Sequence, residues 1–435
     1  MDNHVLQRKG RGYFKYISLK FLSWALICVL VIQWLFVASG AAAQPQSALQ
    51  GGSFTASGDP LFPSIPWEGD TRLQDHPTLP AALTGTSAQS AVLINADSGD
   101  ILFRQNESAE LPMASTTKIM TALVAIESLP LDASITVTSD AVGVEGSSIY
   151  LTEGETLTLE DLLYAMMLES ANDAAVAIAV AVSGSVDAFA DKMNQRASAL
   201  GLQHTHFTNP HGLDDPEHYT TALELALITQ AALSHDDLAT IMSTQRKTIP
   251  HKNADSVRLL LNHNKLLRSY EGAIGVKTGF TKKSGRCLVS AAKRDGVSLI
   301  AVTIKAPDDW RDHTAMLDYG FSLYDTVELC PVGAFNAPLW VVGGATEYVM
   351  VKNTDALTLA LPKNHGHIRC VVELPRFVFA PVATGDQLGR LVFYESNSDG
   401  EWQYLADVPL YAQHDVHAEV YKKSLFEKIS EFFGF

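Results

Sequence analysis

The sequence predicts an α+β fold, with helices on one antiparallel sheet, followed by a smaller all-β domain. A hairpin pattern lies near residue 90, helical patterns dominate from about 115 to 245, and strand patterns return from about 273 to 305. Because the early hairpin and the late strands flank the helices, we expect both ends of this segment to join one sheet. Short β-type runs broken by turn residues fill 328–418 and predict the second domain.

Length, charge and cysteine content exclude several classes of protein. The 435 residues suffice for two or three domains, and 47% hydrophobic residues provide for a large core. A formal net charge of −16, with no basic cluster after the first twenty residues, argues against nucleic acid as a partner. Four cysteines are too few and too scattered for a disulfide scaffold or a zinc site, so no metal is predicted.

Residues 1–43 have the pattern of an export signal. Basic residues precede the uncharged run FLSWALICVLVIQWLFVASG, and the small residues AAAQ follow, which is typical of a secretory signal peptide. The apolar run also approaches the length that spans a bilayer, so cleavage after Ala43 and retention as a membrane anchor are both open. Either outcome places the rest of the chain outside the cytoplasm. Residues 44–85, rich in Ser, Pro, Gly and Gln, are predicted to be a linker.

The first domain, predicted for 86–325, contains a Ser-x-x-Lys pair in the segment LPMASTTKIM. If Ser115 and Lys118 begin a helix, their Cβ atoms lie about 5–6 Å apart, so the amine can reach the hydroxyl. The apolar residues that follow imply burial, which lowers a lysine pKa and lets the neutral amine take a proton from serine. The alternative is an ion-paired lysine beside a serine that caps the helix.

A second Ser-x-x-Lys pair, Ser290 and Lys293, lies in the strand pattern RCLVSAAK. Side chains three residues apart on a strand face opposite sides of the sheet, so these two cannot meet. We therefore expect the second pair to be a chance match.

Ser170 and Asn172 lie in the sequence LESAND, between two apolar helical runs. A capping box of Thr158 and Asp161 is predicted to start the first of these helices. Buried hydroxyls and amides need hydrogen-bond partners, so this corner is expected to face polar atoms or a cleft. A simple helix cap is the alternative.

The segment GAIGVKTGFTKKSG places Lys277, Thr278 and Gly279 on a strand that glycines flank. The lysine is a compact cation that suits an anionic group of a substrate, and the threonine adds a hydroxyl donor. Gly279 has no side chain, so an extended ligand can approach the strand edge and pair with it as an added strand.

The C-terminal residues 421–435, YKKSLFEKISEFFGF, would place their apolar side chains on one face of a helix. Three lysines would then be available to anionic lipid head groups, which predicts a helix that associates with a membrane surface. The alternative is a helix that packs on its own domain.

The motifs S-x-x-K, S-x-N and K-T-G, in this order, occur in penicillin-binding proteins and class A β-lactamases. The chain resembles the low-molecular-mass penicillin-binding proteins that act as D-alanyl-D-alanine carboxypeptidases, over about residues 88 to 325. The likeness includes SAVLINADSGDILFRQN, TNPHGLDDPEHYTTALELALI and LNHNKLL, although the middle motif is S-A-N rather than S-D-N. His211, Asp214 and His218, in the second of these segments, are expected to be polar loop residues.

The resemblance implies a penicillin-binding, transpeptidase-like fold and a role for each motif residue, with no cofactor. Ser115 would form an acyl-enzyme with the penultimate D-alanine, and Lys118 would be the base. Ser170 would relay a proton to the leaving amine, and Asn172 would hold the substrate amide. The substrate would be bound through its terminal carboxylate and along the strand by Lys277, Thr278 and Gly279.

The same resemblance identifies ligands and place of action. The substrate would be a peptidoglycan stem peptide that ends in D-Ala-D-Ala, and β-lactams would inhibit by acylating Ser115. A backbone N–H in the strand of the third motif would complete an oxyanion hole with that of Ser115. The protein would act in cell-wall maturation at the outer face of the cytoplasmic membrane, held there by a terminal segment.

Three other functions compete with this one. A class A β-lactamase needs a glutamate that activates water, and no E-x-x-x-N segment lies between Asn172 and Lys277. A non-catalytic scaffold would have no need to keep a buried lysine. A DD-endopeptidase would use the same residues with a different cleft width, so the sequence leaves it open.

Overall fold

The computed structural model describes residues 81–251, 256–397 and 399–419. The predicted export signal or anchor, most of the predicted linker and the predicted C-terminal helix lie outside these ranges. The strands, in chain order, are β1 (Ser90–Asn95), β2 (Ile101–Gln105), β3 (Ser134–Thr136), β4 (Thr156–Thr158), β5 (Arg246–His251), β6 (Ser256–Leu261), β7 (Ala273–Thr281), β8 (Gly285–Arg294), β9 (Val297–Ile304), β10 (Tyr324–Cys330), β11 (Asn336–Val342), β12 (Tyr348–Asn353), β13 (Leu357–Pro362), β14 (Ile368–Glu373), β15 (Phe377–Phe379), β16 (Gln387–Ser396) and β17 (Trp402–Ala412). The helices are α1 (Lys118–Ser128), α2 (Leu159–Leu168), α3 (Asn172–Ser183), α4 (Val186–Ala199), α5 (Ala222–Leu233), α6 (Asp236–Ser243), α7 (Leu266–Ser269) and α8 (Asp309–Ser322).

The chain divides into two compact units. The described part of the larger unit runs up to residue 332 and includes 355–365, and that of the smaller unit comprises 333–354 and 366–419. The domain bounds given by the sequence, 86–325 and 328–418, stay predictions.

The larger unit is built on a five-stranded sheet with the strand order β2-β1-β9-β8-β7, in which all neighbours are antiparallel. β1 pairs with β2 of the early hairpin and with β9 of the late strands, so both ends of the segment join one sheet, as predicted. β7 lies at an edge of this sheet. The α+β prediction is confirmed.

Both faces of this sheet are covered. In β1, Val92 and Ile94 face a core shared with α1, α2, α3 and α5, whereas Ala91 and Leu93 face a second core shared with α8. This alternation follows from the two-residue period of side chains in a strand. α1 is buried on every side along its first eight residues, as expected for a helix that runs through a core.

The helices confirm one local prediction. α2 begins at the capping box, in which the Thr158 hydroxyl accepts from the Asp161 N–H at 3.1 Å and the Asp161 carboxylate accepts from the Thr158 N–H at 3.4 Å.

Among the described helices, none is by itself long and apolar enough to cross a membrane. α3 and α4 pass that test only as a pair, and the pair is bent by 82°.

The smaller unit contains a six-stranded sheet with the order β14-β16-β17-β12-β11-β15. This all-β architecture agrees with the strand patterns of the sequence. LTLALP is the exception, because it forms β13 and pairs with β10 in the larger unit. A strand pattern indicates extended backbone and does not specify the partner strand.

Candidate active site

Ser115 lies in a 3-10 turn, Ala114–Thr117, that leads directly into α1. The turn is tighter than the helix start that the sequence predicts. Ala114 has a φ of 48°, in the left-handed region, which costs on the order of 1–3 kcal/mol for a residue with a side chain. Gly212 approaches it so closely that a Cβ atom there would lie 1.9 Å from the Ala114 carbonyl oxygen. The surrounding structure thus holds the strained turn in place.

The Lys118 amine is fully buried and has three polar neighbours. Its Nζ lies 2.7 Å from Asn172 Oδ1, 2.7 Å from the His211 carbonyl oxygen and 3.0 Å from Ser115 Oγ. The first two oxygens can only accept hydrogen bonds, so both N–H groups of a neutral amine point to them. The lone pair then faces the Ser115 hydroxyl and can take its proton.

Ser170 and Asn172 form the corner between α2 and α3, as predicted. Asn172 Nδ2 donates to the Glu145 carbonyl at 2.6 Å, which orients the amide with its oxygen toward Lys118. Gly146 makes room for this amide, because a Cβ atom there would lie 2.6 Å from Nδ2. Ser170 has a φ of 60° and lines the cleft described below. The corner therefore brings Asn172 to Lys118 and Ser170 to the cleft.

Lys277, Thr278 and Gly279 lie in the edge strand β7, beside the turn that carries Ser115. Gly279 permits this close approach, because a Cβ atom there would lie 3.1 Å from Ser115 N and 3.2 Å from the Met113 carbonyl oxygen. Lys277 is buried, and its Nζ donates to the Thr278 carbonyl at 3.0 Å. The glycine is thus needed for packing as well as for access to the strand edge.

Two buried amines share the site, and burial lowers the pKa of each. The pKa of Lys118 lies well below its usual value because of burial first and the charge of Lys277 second, while Asp173 acts in the opposite direction. Burial lowers the pKa of Lys277 to about 7, against the opposing effect of Glu169. A neutral Lys118 is the form that can accept a proton from serine.

A cleft of about 400 Å³ opens beside these residues. Four of the seven predicted site residues line it, and the other three are buried. The lining residues are Ser115, Ser170, Thr278 and Gly279, and the buried ones are Lys118, Asn172 and Lys277. His263, Arg286 and Trp310 extend the wall beyond the motifs.

The second Ser-x-x-Lys pair is separated, as predicted. Both residues lie in β8, where Ser290 is fully buried and Lys293 is exposed. Within the described part of the chain, Ser290 Oγ has no hydrogen-bond partner. The pair therefore lacks the contact that joins Ser115 to Lys118.

Comparison with known proteins places this chain in a family. The sequence profile of peptidase family S11, described as D-alanyl-D-alanine carboxypeptidase, matches residues 77–308. The chain belongs to this family. It is 32% identical to the D-alanyl-D-alanine carboxypeptidase DacF of Bacillus subtilis, over 76% of this chain and 86% of that protein. It is 36% identical to a D-alanyl-D-alanine carboxypeptidase of a Streptomyces strain, over 54% of this chain and 88% of that protein.

Solved structures show the same fold. A D-alanyl-D-alanine carboxypeptidase DacD from Francisella tularensis matches with a TM-score of 0.54 at 27% identity, over 78% of this chain and 96% of that one. Penicillin-binding protein 5 from Haemophilus influenzae matches with a TM-score of 0.53 at 27% identity, over 77% and 99%. The predicted fold, family and enzyme class, a serine-type peptidase, are confirmed.

The candidate site includes a buried histidine whose contacts the sequence did not predict. His218 Nδ1 accepts from the Thr208 N–H at 3.0 Å, so the proton is assigned to Nε2, which donates to Thr117 Oγ1 at 2.7 Å. The Thr117 hydroxyl donates in turn to the Ala114 carbonyl at 2.8 Å, next to Ser115. Burial lowers the pKa of His218 to about 4, which favours this neutral form.

His211 and Asp214 lie in the same loop, as expected, and both contact the site region. His211 reaches Lys118 through its main-chain oxygen, and Asp214 Oδ1 accepts from Thr281 Oγ1 at 2.8 Å, at the end of β7. A carbonyl contact leaves no signal in the residue type, since every residue has one. The cluster of polar residues in NPHGLDD was the available hint.

Proposed function

We propose that Ser115 is the nucleophile of a serine-type D-Ala-D-Ala carboxypeptidase that removes the terminal D-alanine from peptidoglycan stem peptides. The Lys118 amine carries the proposal, because two fixed acceptors direct its lone pair to Ser115 Oγ at 3.0 Å. The edge strand β7 beside it can pair with an extended peptide. The reaction serves cell-wall maturation.

In acylation, Ser115 Oγ attacks the carbonyl carbon of the penultimate D-alanine while Lys118 takes the hydroxyl proton. The backbone N–H of Ser115 and one in β7 hold the developing oxyanion. The C–N bond to the terminal D-alanine then breaks, and Ser170 relays the proton to the leaving amine. Asn172 holds both Lys118 and the amide of the substrate.

The terminal carboxylate selects the substrate and then departs with the product. A protonated Lys277 and the Thr278 hydroxyl bind it. Water next attacks the acyl carbonyl, the ester bond to Ser115 breaks, and the serine oxygen regains a proton as the shortened peptide leaves. A β-lactam acylates the same oxygen, but its amine stays tethered in the site, so a long-lived adduct forms.

The test uses the full-length protein with benzylpenicillin, followed by intact mass and peptide mapping, together with D-alanine release from a peptide ending in D-Ala-D-Ala. Ser115→Ala should lower both by at least about a thousandfold. Ser290→Ala, the matched control from the second Ser-x-x-Lys pair, should retain both. Equal losses in the two variants would contradict the assignment. Rapid loss of the drug without a lasting adduct would indicate a β-lactamase. The absence of both an adduct and drug loss would indicate a non-catalytic scaffold.

We also propose that the protein is exported and stays at the outer face of the cytoplasmic membrane. Support comes from the sequence pattern of residues 1–43 and from the apolar and basic residues of 421–435. Fractionation of cells that produce the full chain tests this placement. Recovery in the cytoplasm would contradict it, and removal of either segment identifies the one that anchors.

A further inference from the structure

The smaller unit carries a cluster of exposed apolar side chains on one face of its sheet, called here the aromatic face. Its members, between 40% and 68% exposed, are Trp340, Val342, Tyr348, Phe377 and Phe379. Trp340 lies opposite both Tyr348 and Phe377, and Val342 lies opposite Phe379. Directly paired residues point to the same side of a sheet, so the five side chains form one surface across β15, β11 and β12.

The core of the smaller unit lies on the other side of these strands. The intervening residues of β11 and β12 are buried, namely Leu339, Val341, Val349 and Val351. The aromatic face is therefore not needed for the unit's own core. A contiguous exposed apolar patch of this kind marks a contact surface.

The described chain ends at the border of the aromatic face. The Glu419 N–H donates to the Gly343 carbonyl at 2.8 Å, and Gly343 directly follows Val342 in β11. In the sequence, Lys422 and Lys423 come next, followed by the apolar run of the C-terminus. Any surface that holds this C-terminal segment is therefore brought close to the aromatic face.

We propose that the aromatic face binds the surface of a lipid membrane, as a second contact beside the C-terminal segment. The inference rests on the membrane placement proposed above. Rings with a polar tip, such as those of Trp340 and Tyr348, favour the head-group level of a bilayer. Binding to a bilayer strengthens with the apolar area that enters the interface, so a second apolar surface adds to the contact made by the C-terminal segment. Arg376, exposed next to Phe377, adds a cation for anionic head groups.

The chemistry of the face favours lipid over a glycan. Sugar sites combine aromatic rings with hydrogen-bonding side chains that fix the hydroxyl groups of the ligand. Val342, Phe377 and Phe379 are three of the five members, and their side chains have no hydrogen-bonding atoms. The acyl chains of a lipid have no hydroxyl groups, so a surface that contacts them needs no hydrogen-bonding side chains.

The experiment follows tryptophan emission of the full-length protein on vesicles of phosphatidylglycerol and phosphatidylethanolamine, with and without brominated acyl chains. The emission of the wild type minus that of Trp340→Phe gives the contribution of Trp340. We expect brominated lipid to quench at least half of that contribution. The double variant Phe377→Ser/Phe379→Ser should weaken vesicle binding about tenfold. The matched control is Val257→Ser/Leu259→Ser, at 67% and 60% exposed positions of β6 in the larger unit, and it should bind as the wild type does.

The outcomes distinguish lipid binding by the aromatic face from the membrane location of the protein as a whole. Vesicle-bound protein with an unquenched Trp340 would overturn the inference and leave the membrane placement standing. Protein that does not bind vesicles would overturn both, while D-alanine release in solution would still test the carboxypeptidase. A Trp340 signal that responds to removal of residues 420–435 but not to vesicles would show that this segment covers the face. Concentration-dependent dimers lost in the double phenylalanine variant would show a second copy there.

Discussion

At the scale of single residues, the proposed chemistry depends on where the hydrogen-bond acceptors lie around Lys118 Nζ. The His211 carbonyl and the Asn172 amide oxygen take two directions around Lys118 Nζ and leave the third to Ser115. A lysine with free rotation would offer its lone pair to water. This arrangement gives the amine its direction, and burial gives it a lowered pKa.

The second buried amine should set the alkaline limit of peptide hydrolysis. Because burial lowers the pKa of Lys277 to about 7, its ammonium form, which we propose binds the substrate carboxylate, is lost as pH rises through that value. The rate should first rise with pH as Lys118 becomes neutral, so kcat/KM for D-alanine release should follow a bell-shaped curve.

Lys277→Arg tests this assignment, because an arginine keeps its charge at all pH values used. The variant should be slower overall, since the larger group must fit a buried position, and its kcat/KM should no longer fall above about pH 7. A peptide with an amidated C-terminus is the control and should lack the alkaline limb with either enzyme. An unchanged alkaline limb in the arginine variant would refute the role of Lys277.

The buried His218 should make stability depend on pH. Its pKa is 6.5 when unperturbed and about 4 in the fold because of burial, so the unfolded chain takes up a proton first. The free energy of unfolding should therefore fall as pH is lowered from about 6.5 toward 4, by up to about 1.4 kcal/mol per pH unit for this one proton.

His218→Gln removes that proton uptake and keeps a polar side chain near Thr117. Urea unfolding at several pH values should show a shallower pH dependence in the variant, and benzylpenicillin acylation should slow about tenfold as the turn at Ala114 loses its support. His417→Gln, at an exposed position, is the control and should keep the wild-type slope. Identical slopes in all three proteins would show that His218 does not titrate as described.

At the scale of secondary structure, local patterns predicted the elements better than their partners. The apolar runs of β1 and β9 and the Thr158–Asp161 capping box are encoded in neighbouring residues, so they could be predicted. The strain at Ala114 and the pairing of β13 with β10 depend on residues far away in the sequence. Spacing predicted that Ser115 and Lys118 meet, whereas their approach to β7 depends on tertiary packing.

The approach of β7 to the Ser115 turn should be sensitive to one added methyl group. In Gly279→Ala, the Cβ atom would lie 3.1 Å from Ser115 N, so strand and turn must separate by a few tenths of an ångström. We expect acylation by benzylpenicillin to slow at least tenfold, with a loss of stability of no more than about 2 kcal/mol.

Gly154→Ala provides the matched control for this variant. Gly154 has a φ of 78° and nothing within 4 Å of its added Cβ atom, so alanine there strains the backbone by about 1 kcal/mol without touching the site. Its acylation rate should equal that of the wild type. If both alanine variants lose acylation equally, the effect follows from stability and the packing argument fails.

At the scale of the whole molecule, the two proposals assign separate tasks to the two units. All seven motif residues lie in the larger unit, and the aromatic face lies in the smaller one. The chain enters the smaller unit at 333, returns to the larger one for 355–365 and then enters the smaller one again. Strand patterns could not reveal this exchange, because they carry no information about the unit that a strand joins.

Hydrogen exchange should show this division directly. Acylation of Ser115 places a ligand against β7, the turn at 114–117 and the corner between α2 and α3, so amides in these segments should exchange about tenfold or more slowly in the adduct. Strands of the six-stranded sheet, such as β11 and β16, should exchange at unchanged rates, because they contribute no residue to the cleft. Ser115→Ala treated with the same drug should show no protection anywhere. Protection that extends through the smaller unit would mean that the two units respond as one, and their separate tasks would then be coupled.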